Sequence, residues 1–182
     1  MILASKSPRR KELLSLITED FRIIPAVGEE VIPEGTLPPQ AVVMLAQQKA
    51  REIRAEHSDE IIIAADTVVV VDDKILGKPK NEQRAAEMLS MLSGRKHSVL
   101  TGVCIIFADG AEKSFYEQTE VEFFPLTDKQ IQRYIATGEP MDKAGAYGIQ
   151  GKGGLLIKRF EGDYFNVVGL PAARLARELG EF

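Results

Sequence analysis

The 182-residue chain has one cysteine, two histidines and no long apolar run, and each shortage closes off a class of protein. Cys104 has no second thiol in the chain, so an intrachain disulfide is excluded. His57 and His97 show no metal-ligand spacing with each other or with Cys104, which argues against zinc. No segment is apolar enough to span a membrane and none reads as a signal peptide, so a cytoplasmic location without membrane partners is expected. Positive charge is not in surplus either. With 23 Lys and Arg against 27 Asp and Glu, net charge is -4, and no basic stripe offers itself to nucleic acid. Repeats, low-complexity tracts and interdomain linkers are missing, so residues 1–182 are expected to form one domain, softest between Gly28 and Pro39.

What is present is an ordinary globular composition, 45% apolar and 27% charged. Against its acidic background the first dozen residues stand out. Ser7 is a good N-cap and Pro8 suits the first helical position, yet Lys6, Arg9, Arg10 and Lys11 surround this helix start, and Arg10 takes the capping-box place of Glu or Gln. Cations are unfavourable at the positive end of a helix. A phosphate-bearing ligand held by backbone N–H groups and guanidinium forks would resolve the conflict; a merely solvated basic turn is the simpler alternative.

Periodicity predicts a strand at residues 1–4, a helix from Pro8 to about Leu16, a strand at residues 21–24 and a long helix from Pro38 to about Glu56. Residues 61–71 read as a buried strand, Asp72-Asp73 as a turn and residues 74–76 as a return strand. Asn81 caps a helix that Gly94 ends. Long strands at residues 99–107 and 114–124 flank the hairpin signal Asp109-Gly110, and Thr127 with Gln130 makes a capping box. Residues 139–154 look loop-like, residues 155–160 and 164–168 read as a last hairpin, and Pro171 opens a final helix. The fold class is α/β, with a mixed central sheet and helices on its faces.

Three anomalies point to chemistry. In the strand from Ile61 to Val71 only Asp66 and Thr67 are not apolar, and a carboxylate there must meet a metal, a cation or several donors, or stay protonated. Lys49 falls in the apolar stripe of its helix; read alone, it snorkels to water. Residues 145–154 hold five of the chain's 15 glycines, interleaved with Tyr147, Ile149 and Gln150, which suits a shaped wall better than a flexible linker. Neither nucleotide fingerprint fits. Gly77-Lys78-Pro79 lacks the Walker Ser or Thr, and Leu156 stands where the dinucleotide motif needs its third glycine. Glu29-Glu30 reads alone as a solvated acidic pair, although it could share a metal with Asp66. Oxygen ligands of this kind suit Mg²⁺ or Mn²⁺.

Taken together, Ser5-Lys6-Ser7-Pro8-Arg9-Arg10, Ala65-Asp66-Thr67-Val68, Gly77-Lys78-Pro79, Ser93-Gly94-Arg95-Lys96-His97, residues 142–151 and Gly169-Leu170-Pro171 resemble the Maf family of nucleoside triphosphate pyrophosphatases. The motifs are collinear over nearly the whole chain. The resemblance implies a cytoplasmic homodimer whose elongated mixed sheet is flanked by helices in two lobes with a cleft between them. It also implies hydrolysis of a nucleoside triphosphate to monophosphate and pyrophosphate, assisted by a divalent cation, Mg²⁺ or Mn²⁺. Carried over by position, Asp66 is similar to the family's catalytic acid, acting as proton acceptor or metal ligand, and Glu30 to its acidic helper, and the two are the residues implied to hold the metal. Ser5, Arg9, Arg10, Lys49 and Lys78 match phosphate-binding positions. Arg9, Thr67 and Gln150 match those that mark the dTTP/UTP branch, whereas the 7-methyl-GTP branch carries an aromatic residue where this chain has Arg9. A Gln150 amide can accept from pyrimidine N3–H and donate to O4, and a rotated amide could serve cytosine. The rival reading is a nucleotide-sensing regulator of cell division without turnover.

Overall fold

The computed structural model describes all 182 residues. Strands β1 (Ile2–Leu3), β2 (Arg22–Ile23), β3 (Ile62–Val71), β4 (Lys74–Leu76), β5 (Lys96–Ile106), β6 (Glu112–Phe123) and β7 (Ile157–Glu161) form one sheet in the order β2-β1-β3-β5-β6-β7, with β4 paired to β3. The sheet is mixed: β1 runs parallel to β2 and β3, while β4 on β3 and β7 on β6 are antiparallel. The helices are α1 (Pro8–Leu14), α2 (Pro38–Arg54), α3 (Glu82–Leu92), α4 (Asp128–Ile135), α5 (Tyr164–Val168) and α6 (Ala172–Leu179). None is long and apolar enough to cross a membrane.

The chain divides into two compact units, residues 1–67, 101–117 and 169–182, and residues 68–100 and 118–168. In the first, Ala46, Ala50 and Ile53 of α2 are buried with Ile2, Ile62, Ala64, Cys104 and Ile106 of the strands. Gly102 lets the α2 backbone lie directly on β5, because a Cβ there would fall 2.3 Å from the Val42 carbonyl. In the second, the apolar faces of α3 and α4 close over Val69, Val99, Val121 and Phe123.

Local signals behave as their chemistry demands. Asp72 and Asp73 both take positive φ, 49° and 59°, giving the tight turn between β3 and β4 that short polar side chains tolerate. The Thr127 side chain accepts from the Gln130 N–H at 3.3 Å and the Gln130 side chain from the Thr127 N–H at 2.8 Å, completing the capping box of α4.

The expected last hairpin is wrong in its second arm. Ile157–Glu161 does pair with β6, but residues 164–168 form α5. Asp163 Oδ1 accepts from the Phe165 N–H at 2.8 Å and starts that turn, while the Asn166 side chain, fully buried, donates to Val99 O at 3.0 Å and Thr119 Oγ1 at 2.9 Å. A strand would forfeit these bonds, so tertiary context overrides the strand-like Tyr-Phe-Asn-Val-Val composition. Residues 139–154, expected as loop, carry 3₁₀ turns at Glu139–Asp142, Ala144–Ala146 and from Gly151 on.

Beneath this stretch lies an aromatic cluster. His97 shares a 2.7 Å hydrogen bond with the Tyr147 hydroxyl, and the His97, Phe123 and Tyr147 rings meet edge to face with centroids 4.7 to 5.4 Å apart. Burial pushes the His97 imidazole down to about 4. The unfolded chain therefore takes up a proton as pH falls below about 6.5, which the folded chain refuses until pH 4, so stability declines across that window. Between pH 7 and pH 5 the wild type should lose about 2 kcal/mol more than His97→Phe does, measured by denaturant unfolding.

Candidate functional site

Of the predicted site residues, Ser5, Arg9, Arg10, Glu30, Lys49, Asp66 and Thr67 belong to the first unit, and Lys78 and Gln150 to the second. Within the first, the order of elements brings three chain segments onto one another. Strand β1 runs into Ser5, which is 8% exposed, and Ser7 then caps α1, its hydroxyl accepting from the Arg10 N–H at 3.5 Å. The cap turns the Arg10 side chain back over the sheet. Its guanidinium donates from Nε to Gly169 O at 2.8 Å, from Nη1 to Ser5 Oγ at 3.3 Å and from Nη2 to Thr67 Oγ1 at 3.0 Å. Thr67 Oγ1 in turn lies 2.9 Å from the hydroxyl of Thr101, which is fully buried on β5. Arg10 is thus a brace joining α1, β3 and the approach to α6. Burial lowers its pKa, opposed by the negative charge of Asp66, with Arg9 and Glu30 as further charged neighbours.

Asp66 has found the cation that its position requires. Lys49 Nζ lies 2.5 Å from Asp66 Oδ1 and 2.8 Å from Glu30 Oε1. The Lys49 and Asp66 side chains are 16% and 14% exposed, Glu30 55%. Lys49, expected when read alone to snorkel to water, instead holds two carboxylates. Glu30, expected when read alone in a solvated acidic pair, is tied in by the helix that carries Lys49. Glu52 accepts from the Val27 N–H at 2.8 Å and the Gly28 N–H at 3.0 Å, and Gln48 exchanges hydrogen bonds with Val31, 3.1 Å from its N–H and 2.6 Å to its O. Gln48 and Glu52 were not among the predicted residues. Their i, i+4 spacing places them on one helix face, but nothing in the sequence says that the loop folds back to it.

An ion pair this buried contributes little net stability, because desolvation offsets most of the attraction. Its consequence is arrangement: two carboxylates facing one point, with guanidinium charge beside them. Asp66 and Glu30 together are an oxygen donor set that fits a hard divalent cation, which takes one or two carboxylates and completes its shell with phosphate oxygens and water. No group of three or more His, Cys, Asp or Glu side chains gathers anywhere in the chain, so Asp66 and Glu30 supply two protein ligands and no third.

In the second unit Lys78 is exposed, and its segment is joined to the glycine-rich stretch where the Gly145 N–H donates to Gly77 O at 3.0 Å. That stretch is packed, not loose. Gly145 has φ +65° and a Cβ on it would lie 2.8 Å from a Val69 methyl; one on Gly153 would lie 2.3 Å from Gly148 O. The Glu139 carboxylate accepts from the Lys152 N–H at 3.1 Å and the Gly153 N–H at 3.3 Å. Gln150 is half-buried with no hydrogen bond from its side-chain amide to the protein.

The family described as Maf-like protein matches residues 1–182. A protein of Geobacillus sp. (strain WCH70) named dTTP/UTP pyrophosphatase is 55% identical over 179 residues, 98% of this chain and 96% of its own. One of the same name from Bacillus cereus (strain B4264) is 52% identical over 182 residues, 100% of this chain and 95% of its own. Among solved structures, a HAM1 protein from Coxiella burnetii shares the fold at a TM-score of 0.55 and 16% identity, covering 100% of this chain and 98% of that one.

Lysine cannot reproduce the three-way fork of Arg10, so Arg10→Lys should cost about 2 kcal/mol in thermal or denaturant unfolding although charge is conserved.

Proposed function

The chain belongs to the Maf family, and from that premise we propose that it hydrolyses dTTP and UTP to the monophosphates and pyrophosphate. Relatives named for that reaction at 55% and 52% identity support the substrates. The observation that carries the chemistry is the convergence of Asp66 and Glu30 on Lys49 beside Arg9 and Arg10. A site that only bound triphosphate would need the cations but would gain nothing from two carboxylates that repel phosphate. That separates the reading from a regulator without turnover.

Asp66 would accept the proton of the attacking water, and its carboxylate is aimed by the 2.5 Å contact with Lys49. Arg9, Arg10, Lys49, Lys78 and the Ser5 hydroxyl are the phosphate ligands in this scheme, neutralising charge that develops on the departing pyrophosphate. Asp66 and Glu30 would hold Mg²⁺ or Mn²⁺, which when bound polarises the α-phosphate. Thr67, fixed by Arg10 and Thr101, and Gln150 are the residues that choose the base. Gln150 suits uracil and thymine, accepting from N3–H and donating to O4. We treat residues 1–182 as one functional domain, since the family match spans them. A cytoplasmic homodimer belongs to the same reading and rests on the family resemblance alone.

Pyrophosphate release from a panel of triphosphates with Mg²⁺ or Mn²⁺ tests the proposal. UTP and dTTP should be turned over and 7-methyl-GTP should not; binding without release would favour the regulator. Asp66→Asn, nearly isosteric and unable to accept the proton, should lower kcat at least about 100-fold, and full turnover by this variant would remove Asp66 from the mechanism.

A further inference from the structure

The Ser93–His97 motif has no part in the chemistry above, yet it places His97 at 4% exposure under the glycine-rich turn. We propose that His97 is a positioning residue for base recognition: its hydrogen bond to the Tyr147 hydroxyl fixes the turn that presents Gln150. The inference rests on reading Gln150 as the side chain that contacts the base.

The reason lies in the backbone around Gln150. Its amide has no partner in the protein, so the main chain on either side decides where it stands. Glycines cannot supply order to that main chain; without side chains they leave it the widest choice of conformations. Order has to come from anchors. Downstream the anchor is Glu139, whose carboxylate takes the Lys152 and Gly153 N–H groups at 3.1 and 3.3 Å. Upstream the Gly148 N–H donates to the Tyr134 hydroxyl at 3.4 Å, a long bond, and the neighbouring Tyr147 is the one large side chain sunk into the core, 5% exposed. Apolar contact with Phe123 holds the Tyr147 ring in depth, at 4.7 Å between centroids, but only the 2.7 Å hydrogen bond to His97 Nε2 fixes its rotation and reach. Loss of that bond would leave the start of the turn free to shift beneath Gln150.

The test uses the full chain carrying His97→Phe, Tyr147→Phe, both together, His97→Gln, and Gln150→Ala as reference, assayed with dTTP and CTP beside a thermal melt. Tyr147→Phe removes one oxygen and keeps the ring, so it remains informative should His97→Phe fold poorly. Each Phe variant is expected to raise the KM for dTTP about tenfold with a smaller change in kcat, and to narrow the preference for dTTP over CTP. The double variant should be no worse than either single one, since one bond is lost in all three. His97→Gln, which can offer an amide near the Nε2 place, should recover part of the preference. Lowered melting temperatures with KM and preference unchanged in the Phe variants, while Gln150→Ala alters them, would overturn the inference alone. Unchanged preference in Gln150→Ala would overturn the base-reading role and the inference with it.

Discussion

One ammonium group sets the terms for much of this molecule. Lys49 sits in the apolar stripe of α2 because Asp66 sits in the apolar run of β3, and neither charge could be buried without the other. The pairing requires α2 to lie close against the sheet, which Gly102 permits by leaving room for the Val42 backbone. Once the helix is there, its Gln48 and Glu52 side chains hold the Val27–Val31 segment and bring Glu30 to the same ammonium. A charge that a globular core would normally exclude has become the point on which strand, helix and loop agree.

Arg10 does for α1 what Lys49 does for α2. Its fork takes acceptors from Ser5, Thr67 and Gly169, so residues far apart in sequence are held by one planar group. The two cations divide the work. Arg10 spends its donors on neutral oxygens and leaves its charge uncompensated by direct pairing, whereas Lys49 is bound by carboxylates. Positive potential and a carboxylate pair side by side suit a polyanion that is to be attacked and not merely held. The glycine-rich turn follows a different principle. It is anchored from outside, by Glu139, Tyr134 and the His97–Tyr147 bond, and is lean enough to bring backbone close to a ligand.

Elements governed by short-range rules were legible from the residues. The stripe Val42, Leu45, Ala46, Ala50 and Ile53 is buried as its spacing required, Asn81 and Thr127 cap their helices, and Asp72-Asp73 turns where strand propensity ends. Asp66 was legible as an anomaly, since no partner could be assigned to it nearby in sequence. Residues 164–168 were misread because their β-branched and aromatic content favours a strand, while the bonds that make them helical, through Asn166 to Val99 and Thr119, reach across the fold.

The sequence by itself determined most of the element order, though not the helix at residues 164–168, together with the mixed α/β class, the family pattern and the fact that Asp66 needed a partner, because periodicity, capping and the cost of burying charge act locally or through composition. Only the tertiary structure decided which partner that was, that Glu30 shares it, that Arg10 braces the sheet and that His97 lies under Tyr147. These are choices of partner between residues separated by 17 to 159 positions, and nothing short of the folded chain ranks one distant partner above another.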